Sequence, residues 1–449
     1  MATTPTEPAW NAARLIPTSG INGAEEQERR ATSALLAVLT SVREFGRAIT
    51  QPVGAPAGQI ETFIEVPFTV EDRKVFPDGL IRVRRGQRSW TALVEVKTGT
   101  NALYAQQLED YLDVARAHSF DALITISNEI PATIGTHPTP VDKRKLKKVA
   151  LHHFSWSEIL TAAVVQKEHR GVADPDQAWI LGELIRYLEH PKSGALSFED
   201  MGQSWVTVRE AVAAGTLRVN DAGLQEVVSR FDALIRFVGL KLGRQLGSEV
   251  LPVVPRNEAS DPKVRSSRMA TELAKDGHVT AGMRIPGAIS DLTVVADLRA
   301  GQVTASFTID APKEGKPTTR INWLLRQLKS ASDSLRIEAI PVRSSSGTAE
   351  LLGTVRDNPA LLVPESGREI KSFVVTKSVP LGGKRGTGRG SFIDSVVSAV
   401  ESAYSEIGQS IKAWSATPPK LRAAEVVETE PGIDKSLASA ALSSQDNDD

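Results

Sequence analysis

The sequence predicts an α/β protein built from more than one domain. Three observations lead there. The chain has 449 residues, 41% of them hydrophobic and 24% charged, which is too long for one ordinary domain and apolar enough for a sizeable core. Segments with apolar residues at helical spacing alternate with short β-rich runs. One of those runs folds back on itself at Arg85-Gly86-Gln87-Arg88, a plausible two-residue hairpin turn with Gly first.

Residues 1–23, rich in Pro, Thr, Ala and Gly, read as a disordered N-terminus. From Ala24 to Arg47 a helix follows from Ala31, Leu35, Leu39 and Val42 at helical spacing. Gly54-Ala55-Pro56-Ala57-Gly58 breaks it. Residues 60–68 read as a strand, and the hairpin strands follow at 79–84 and 89–97. Residues 102–118 form a second helix, with Leu108, Leu112 and Ala115 on one side. A strand over 120–127, a loop over 128–140 and a basic run (Lys143, Arg144, Lys145, Lys147, Lys148) lead to another strand ending near Phe154. Ser155 with Glu158 spells a capping box for the next helix. His152 and His153 are adjacent, so on a strand they face opposite ways and read as structural.

The hairpin turn has a chemical consequence. If Arg85 faces Arg88, every cross-strand pair is fixed, and Asp78 lands opposite Glu95. Directly opposed residues share a face, and alternation puts Lys97 on that face too. The other face reads Ile81, Val83, Trp90, Ala92, Val94, Val96, a core face. Two carboxylates beside an ammonium suit a hard divalent cation and an activated water. Glu-x-Lys alone means little, since it also occurs at Glu314-Lys316 and Glu369-Lys371. Only Glu95-Lys97 follows a Pro-Asp, Pro77-Asp78, at hairpin distance.

The remainder reads as a helical middle over 171–250, a proline-bearing linker over 251–268, a C-terminal α+β domain over 269–415 and an acidic disordered tail over 416–449. Leu181, Leu184, Ile185 and Leu188 form one helical stripe. A second runs from Leu224 through Phe231 to Leu242. Asp174 and Asp176, flanking Pro175, cap the first of these helices, and Trp156 and Trp179 read as core. In the α+β part, 292–298 and 303–309 form a hairpin around Ala300-Gly301, a helix carries Ile321, Leu324, Leu325 and Leu328, and strands lie near 335–342 and 369–376. The glycine-rich loop 382–390 carries Lys384, Arg385 and Arg389 ahead of a helix starting at Ser391, a setting in which backbone N–H groups approach anions. It is not a Walker motif, and no nucleotide cofactor is expected. The net charge of −1 provides no global basic signature. The tail holds seven acids against Lys420, Arg422 and Lys435, so the rest is mildly basic. With no cysteine, thiolate zinc sites and cysteine nucleophiles are excluded. The absence of a signal peptide or a long apolar run leads to the expectation of a cytoplasmic protein with no membrane association.

The combination of Pro77-Asp78, Glu95-Val96-Lys97 and Gln107-Leu108-Glu109-Asp110-Tyr111 on the following helix resembles the PD-(D/E)XK nuclease superfamily, in its RecB-type Q-x-x-x-Y variant. The resemblance covers residues 24–165, most of the predicted domain 24–170, and implies a restriction-endonuclease-like αβββαβ core. It implies a nuclease hydrolysing phosphodiester bonds of DNA, an endonuclease of restriction, defence or repair type, with Mg²⁺ or Mn²⁺ as cofactor. Asp78, Glu95 and the backbone carbonyl of Val96 would hold the cation, and Lys97 would orient or activate the attacking water. Glu28, seven residues before Leu35 on the inward stripe, would be the additional first-helix acid of some members, with Glu25 and Glu26 as the alternatives. Gln107 would touch a water or phosphate at the site edge. The basic side chains of 143–148 and 382–390 would contact DNA, and a homodimer would match a duplex. A non-catalytic nucleic-acid-binding or scaffold protein, or an RNA nuclease, are the alternatives.

Overall fold

The computed structural model describes residues 15–16, 23–70, 73–131, 135–195, 198–365 and 368–415. The predicted tail 416–449 and most of 1–23 lie outside the described residues, although Ile16 packs into a core and the backbone N–H of Leu15 donates to Glu183. The protein is mixed α/β, with one mixed sheet and one later antiparallel sheet.

The first predicted helix is two, α1 (Ala24–Ser41) and α2 (Arg43–Thr50), because Val42 adopts an extended conformation between them. Gly46 lets α2 fold back closely, since a Cβ there would strike the Leu39 carbonyl oxygen at 2.3 Å. The predicted strand 60–68 also breaks. β1 (Gln59–Ile64) ends where Glu65 takes a positive φ of 50°, and the chain goes on into a separate two-stranded ribbon, β2 (Phe68–Val70) and β3 (Arg73–Val75). β4 (Gly79–Arg85) and β5 (Arg88–Val96) form the hairpin, with Arg85 paired to Arg88 and Gly79 to Val94. Gly86 has φ 58° and Gln87 stays on the negative side, the pattern of a type II′ turn. Next come α3 (Ala105–Ala117), β6 (Ala122–Ser127), β7 (Ala150–Ser155) and α4 (Trp156–Val164), which the Ser155–Glu158 capping box opens. The first sheet has the order β1-β4-β5-β6-β7, antiparallel through β5 and parallel from β5 to β7. Both faces are covered. Ile81, Val83, Ala92 and Val94 pack under α1, α2, α4 and α5 (Pro175–Glu189), while Leu80, Leu93 and Leu123 pack under Leu108 and Leu112 of α3.

The second sheet is entirely antiparallel. It follows α6 (Trp205–Ala213) and α7 (Leu224–Leu246) and comprises β8 (Leu251–Val253), β9 (His278–Arg284), β10 (Leu292–Asp297), β11 (Gln302–Asp310), β12 (Arg336–Pro341), β13 (Thr348–Leu351) and β14 (Ile370–Pro380). The helices interleaved with or following them are α8 (Arg256–Ser260), α9 (Pro262–Asp276), α10 (Pro317–Gln327), α11 (Leu352–Asp357) and α12 (Phe392–Ala403). The strand order is β13-β12-β14-β11-β10-β9-β8.

Two domain expectations are corrected here. Residues 251–268 are not a linker, because they hold β8, α8 and the start of α9. Each proline sits where proline is tolerated: Pro252 on the edge strand, Pro255 capping α8 and Pro262 at the first position of α9. The helical middle is not one segment either. α5 buries Leu181, Leu184 and Leu188 in the first core, whereas α6 and α7 bury Trp205, Phe231 and Leu234 against the second sheet. Trp179 is not core but 56% exposed. It precedes Leu181 by two positions, which is about 200° around a helix, so it points away from the inward stripe. Among the described residues no helix is long and apolar enough to cross a membrane.

A candidate metal-dependent site at the end of the hairpin

Asp78 immediately precedes β4, Glu95 is the second-last residue of β5, and Lys97 follows that strand. The register that pairs Gly79 with Val94 therefore brings the two acids together. The backbone N–H of Val96 donates to Asp78 Oδ2 at 2.7 Å, locking the aspartate against the partner strand. Glu95 is 1% exposed, and neither carboxylate oxygen has a hydrogen-bond partner of good geometry. Lys97 Nζ lies 2.6 Å from Glu95 Oε1 as an ion pair, and the Asp78 carboxyl is also within hydrogen-bonding reach of Glu95.

Glu28, near the start of α1, reaches the same lysine. Lys97 Nζ donates to Glu28 Oε1 at 3.1 Å, and Glu28 Oε2 accepts from Asn101 Nδ2 at 3.1 Å and from the Thr98 backbone N–H at 3.4 Å. Glu28 thus joins the site through the lysine, and its charge also helps to raise Asp78. Gln107 does not face the acids with a free amide; its Nε2 donates to the Tyr111 hydroxyl at 3.1 Å. That hydroxyl donates in turn to the Phe76 carbonyl at 3.2 Å, so the Q-x-x-x-Y pair steadies the segment leading into Asp78.

The electrostatics follow from this crowding. Burial, and then the Asp78 charge, push the Glu95 carboxyl up to about 8. Burial likewise raises Asp78, against the pull of the Val96 N–H. Burial works to lower Lys97, but Glu95 and Glu28 outweigh it and raise the ammonium above its ordinary value. Burial and the Glu95 charge raise Tyr111 as well. Two acids pressed together in a dry site cannot both ionise easily, so without a cation the pair retains a proton near neutrality.

Two contributors carried no sequence signal. Trp156 Nε1 donates to the Lys97 carbonyl at 2.9 Å, holding the lysine's backbone from α4. In the parallel register Glu95 stands beside Thr125, and Thr125 beside His153, so the acids begin a polar row across the sheet. Thr125 Oγ1 lies 2.9 Å from His153 Nδ1 and 2.8 Å from Nε2 of His137. His153 Nε2 donates to the Glu129 carbonyl at 3.0 Å, and burial holds this imidazole down at about 4. A neutral His153 with that tautomer holds the chain at Glu129 against the sheet, while His137 ties the 137–139 turn to Thr125, both structural roles.

The two basic segments differ. In the first, Lys145 pairs with Asp113 of α3 at 2.6 Å and Arg144 with Asp142 at 2.6 Å, while Lys143, Lys147 and Lys148 are exposed. In the glycine-rich loop the expected backbone cradle is already filled by protein acceptors. The N–H groups of Gly382, Lys384, Thr387 and Gly388 donate to Ser395 Oγ, the Gly390 carbonyl, the Glu199 carbonyl and the Asp394 carboxylate. Arg385 lies 3.2 Å from Asp200, and the side chains of Lys384, Arg385 and Arg389 are exposed.

Among the described residues no group of three or more His, Asp or Glu side chains is arranged to hold a metal ion. The donor set nevertheless fits Mg²⁺, which commonly takes one or two carboxylates and completes its shell with waters and substrate phosphate. The observation that supports the fit is Glu95, a buried carboxylate pressed against a second acid and met by the Lys97 ammonium. No protein-family model, curated protein or solved structure matches the chain.

Proposed function

We propose that the protein is a divalent-cation-dependent nuclease acting on DNA, with a restriction-endonuclease-like first sheet. The observation that carries the reading is the buried Glu95 beside the half-buried Asp78, with Lys97 2.6 Å from Glu95. Two acids that share one ammonium away from water are costly to keep unless a further positive charge binds them. Mg²⁺ or Mn²⁺, held by Asp78, Glu95 and the Val96 carbonyl, would supply charge neutralisation at a phosphodiester and a lowered pKa for water.

The remaining roles belong to the chain. Lys97 stays protonated at neutral pH because Glu95 and Glu28 favour its charged form. It therefore acts as a donor that orients the attacking water and offsets phosphate charge, and not as a base. Glu28 anchors Lys97 when Glu95 turns to a cation. Tyr111, through Phe76, and the Val96 N–H fix Asp78, and Trp156 fixes Lys97. The exposed Lys143, Lys147 and Lys148 sit on a turn tied to α3, the helix over the acid face, where they suit a phosphate backbone. A restriction, defence or repair role, and a homodimer matching the two strands of a duplex, complete the proposal.

The test is incubation of the full chain with supercoiled plasmid, linear DNA and RNA in Mg²⁺, Mn²⁺ or EDTA. Expected is cation-dependent DNA cleavage, lowered about 10²–10³-fold in Lys97→Ala and abolished in Asp78→Ala. Cleavage of RNA alone would move the substrate class. Cleavage indifferent to both substitutions would sink the assignment of this site. DNA binding without cleavage would favour the scaffold reading.

A further inference from the structure

We infer, resting on the nuclease reading of the hairpin site, that its substrate strand is unpaired. Phe76 and Tyr104 at the rim stack on open nucleobase faces, so the site takes single-stranded DNA or a duplex opened at the point of cleavage.

Both rings are bare. Phe76 is 54% exposed and Tyr104 66%. Among the described residues neither ring packs against another ring or under a cation. Phe63, also exposed, differs in having the Arg82 guanidinium 5.5 Å from its ring centre.

Both rings are also rooted beside the acids. Phe76 precedes Asp78 by two positions, and its carbonyl accepts from the Tyr111 hydroxyl at 3.2 Å. Burial and the Glu95 charge raise that hydroxyl, so this face of α3 overlooks the acids. Gln107 donates to it from one turn nearer the start of the helix. Tyr104 stands at the N-cap of α3, almost one turn before Gln107. At about 1.5 Å per residue it begins about 10 Å from Tyr111 along the helix axis. The short loop that joins Tyr104 back to Lys97 belongs to the site as well, since its Thr98 N–H and Asn101 amide donate to Glu28. One ring is thus rooted just before Asp78 and the other just after the Lys97 loop.

The charges at this rim favour a grip through bases. The turn of α1 that carries Glu28 also carries Arg29 and Arg30. Arg29 lies 3.0 Å from Glu25 and 3.2 Å from Glu65, and Arg30 lies 2.6 Å from Glu26. Cations already matched by acids add little hold on phosphate, whereas an exposed ring offers a stacking face to any base. In a duplex the base faces are covered by their neighbours, so these rings select a strand that has been opened.

The test compares a fluorescent DNA strand, the same strand paired with its complement, and an abasic strand of the same length. Anisotropy in EDTA reads binding to the full chain, and gel assays in Mn²⁺ read cleavage. Expected is tighter binding and faster cleavage of the single strand than of the duplex, with the abasic strand bound at least about tenfold more weakly. Phe76→Leu and Tyr104→Leu are each expected to weaken the single strand about tenfold and to leave the abasic strand unchanged, a split that loss of the fold would not produce. A duplex bound and cut as well as the single strand, or an abasic strand bound as tightly, would overturn the inference and leave the nuclease reading in place. Ring-dependent binding of the single strand with no cleavage in any cation would do the reverse, removing the nuclease reading and keeping the stacking surface.

Discussion

Two of the buried charge clusters in the protein are built in opposite ways. Between α7 and α9, Arg265 is 2% exposed and its Nε and Nη2 donate to the two oxygens of Asp232 at 2.7 and 2.5 Å, while Nη1 reaches Glu258 at 3.4 Å. Arg268 donates to Glu258 as well, at 2.6 Å, so two acids meet two guanidinium groups in aligned hydrogen bonds. At the end of the hairpin the balance fails. Asp78 and Glu95 confront each other, Lys97 is divided between Glu95 and Glu28, and Glu95 has no aligned donor. A buried cluster that is matched in charge and hydrogen bonds explains itself as structure. A buried cluster with an unmatched acid asks for a further positive charge.

This contrast can be broken, starting with its structural side. Arg265→Ala leaves Asp232 uncompensated, with Glu258 keeping only Arg268, and is expected to cost about 3–5 kcal/mol, read by urea unfolding, with no dependence on divalent cations. On the other side, a saturating cation is expected to stabilise the wild type by about 2.7 kcal/mol at one hundred times its dissociation constant. The same titration of Glu95→Gln should show no shift in the melting temperature. A cation that stabilises both equally would erase the distinction.

The pH dependence sharpens the contrast further. The folded chain holds the Glu95 proton up to about 8, whereas the ordinary value is 4.5. Folding therefore gains from this group below 4.5, and the gain is lost as pH rises from 4.5 through 8. Glu95→Gln removes that loss, so at pH 8 without cation the variant is expected to be more stable by on the order of 2 kcal/mol, a gain that should vanish at pH 4. His153 has the opposite sign. Its imidazole is held down at about 4 from 6.5, so its contribution is present above 6.5 and lost as pH falls through 4. The smallest expected effect is that of Tyr111→Phe, which removes the hydroxyl between Gln107 and Phe76. It should cost about 1 kcal/mol of stability and lower cleavage without changing its pH profile.

Much of the first sheet was legible because its signals are local. Gly86 set the turn, the turn set the register, and the register placed Asp78 against Glu95. The Ser155–Glu158 and Asp174 caps were readable for the same reason. What was not legible depends on partners far along the chain. α9 looks polar, and its inward face includes Arg265, which is buried only because Asp232 and Glu258 meet it. The hold of Trp156 on the Lys97 carbonyl spans 59 positions, and nothing near either residue announces it. The glycine-rich loop looked like an open anion cradle, because the acceptors that fill it come partly from Glu199, far upstream, and partly from α12.

The division of the central helices has one last consequence. α5 is buried with the first sheet and α7 with the second, yet Arg236 of α7 is joined to Glu158 of α4. The seam between the halves therefore runs along helix surfaces and does not coincide with a loop. Neither half is a cassette: scissors at 170 would strip α5 from the sheet it shields, and scissors at 250 would leave α7 greasy and homeless.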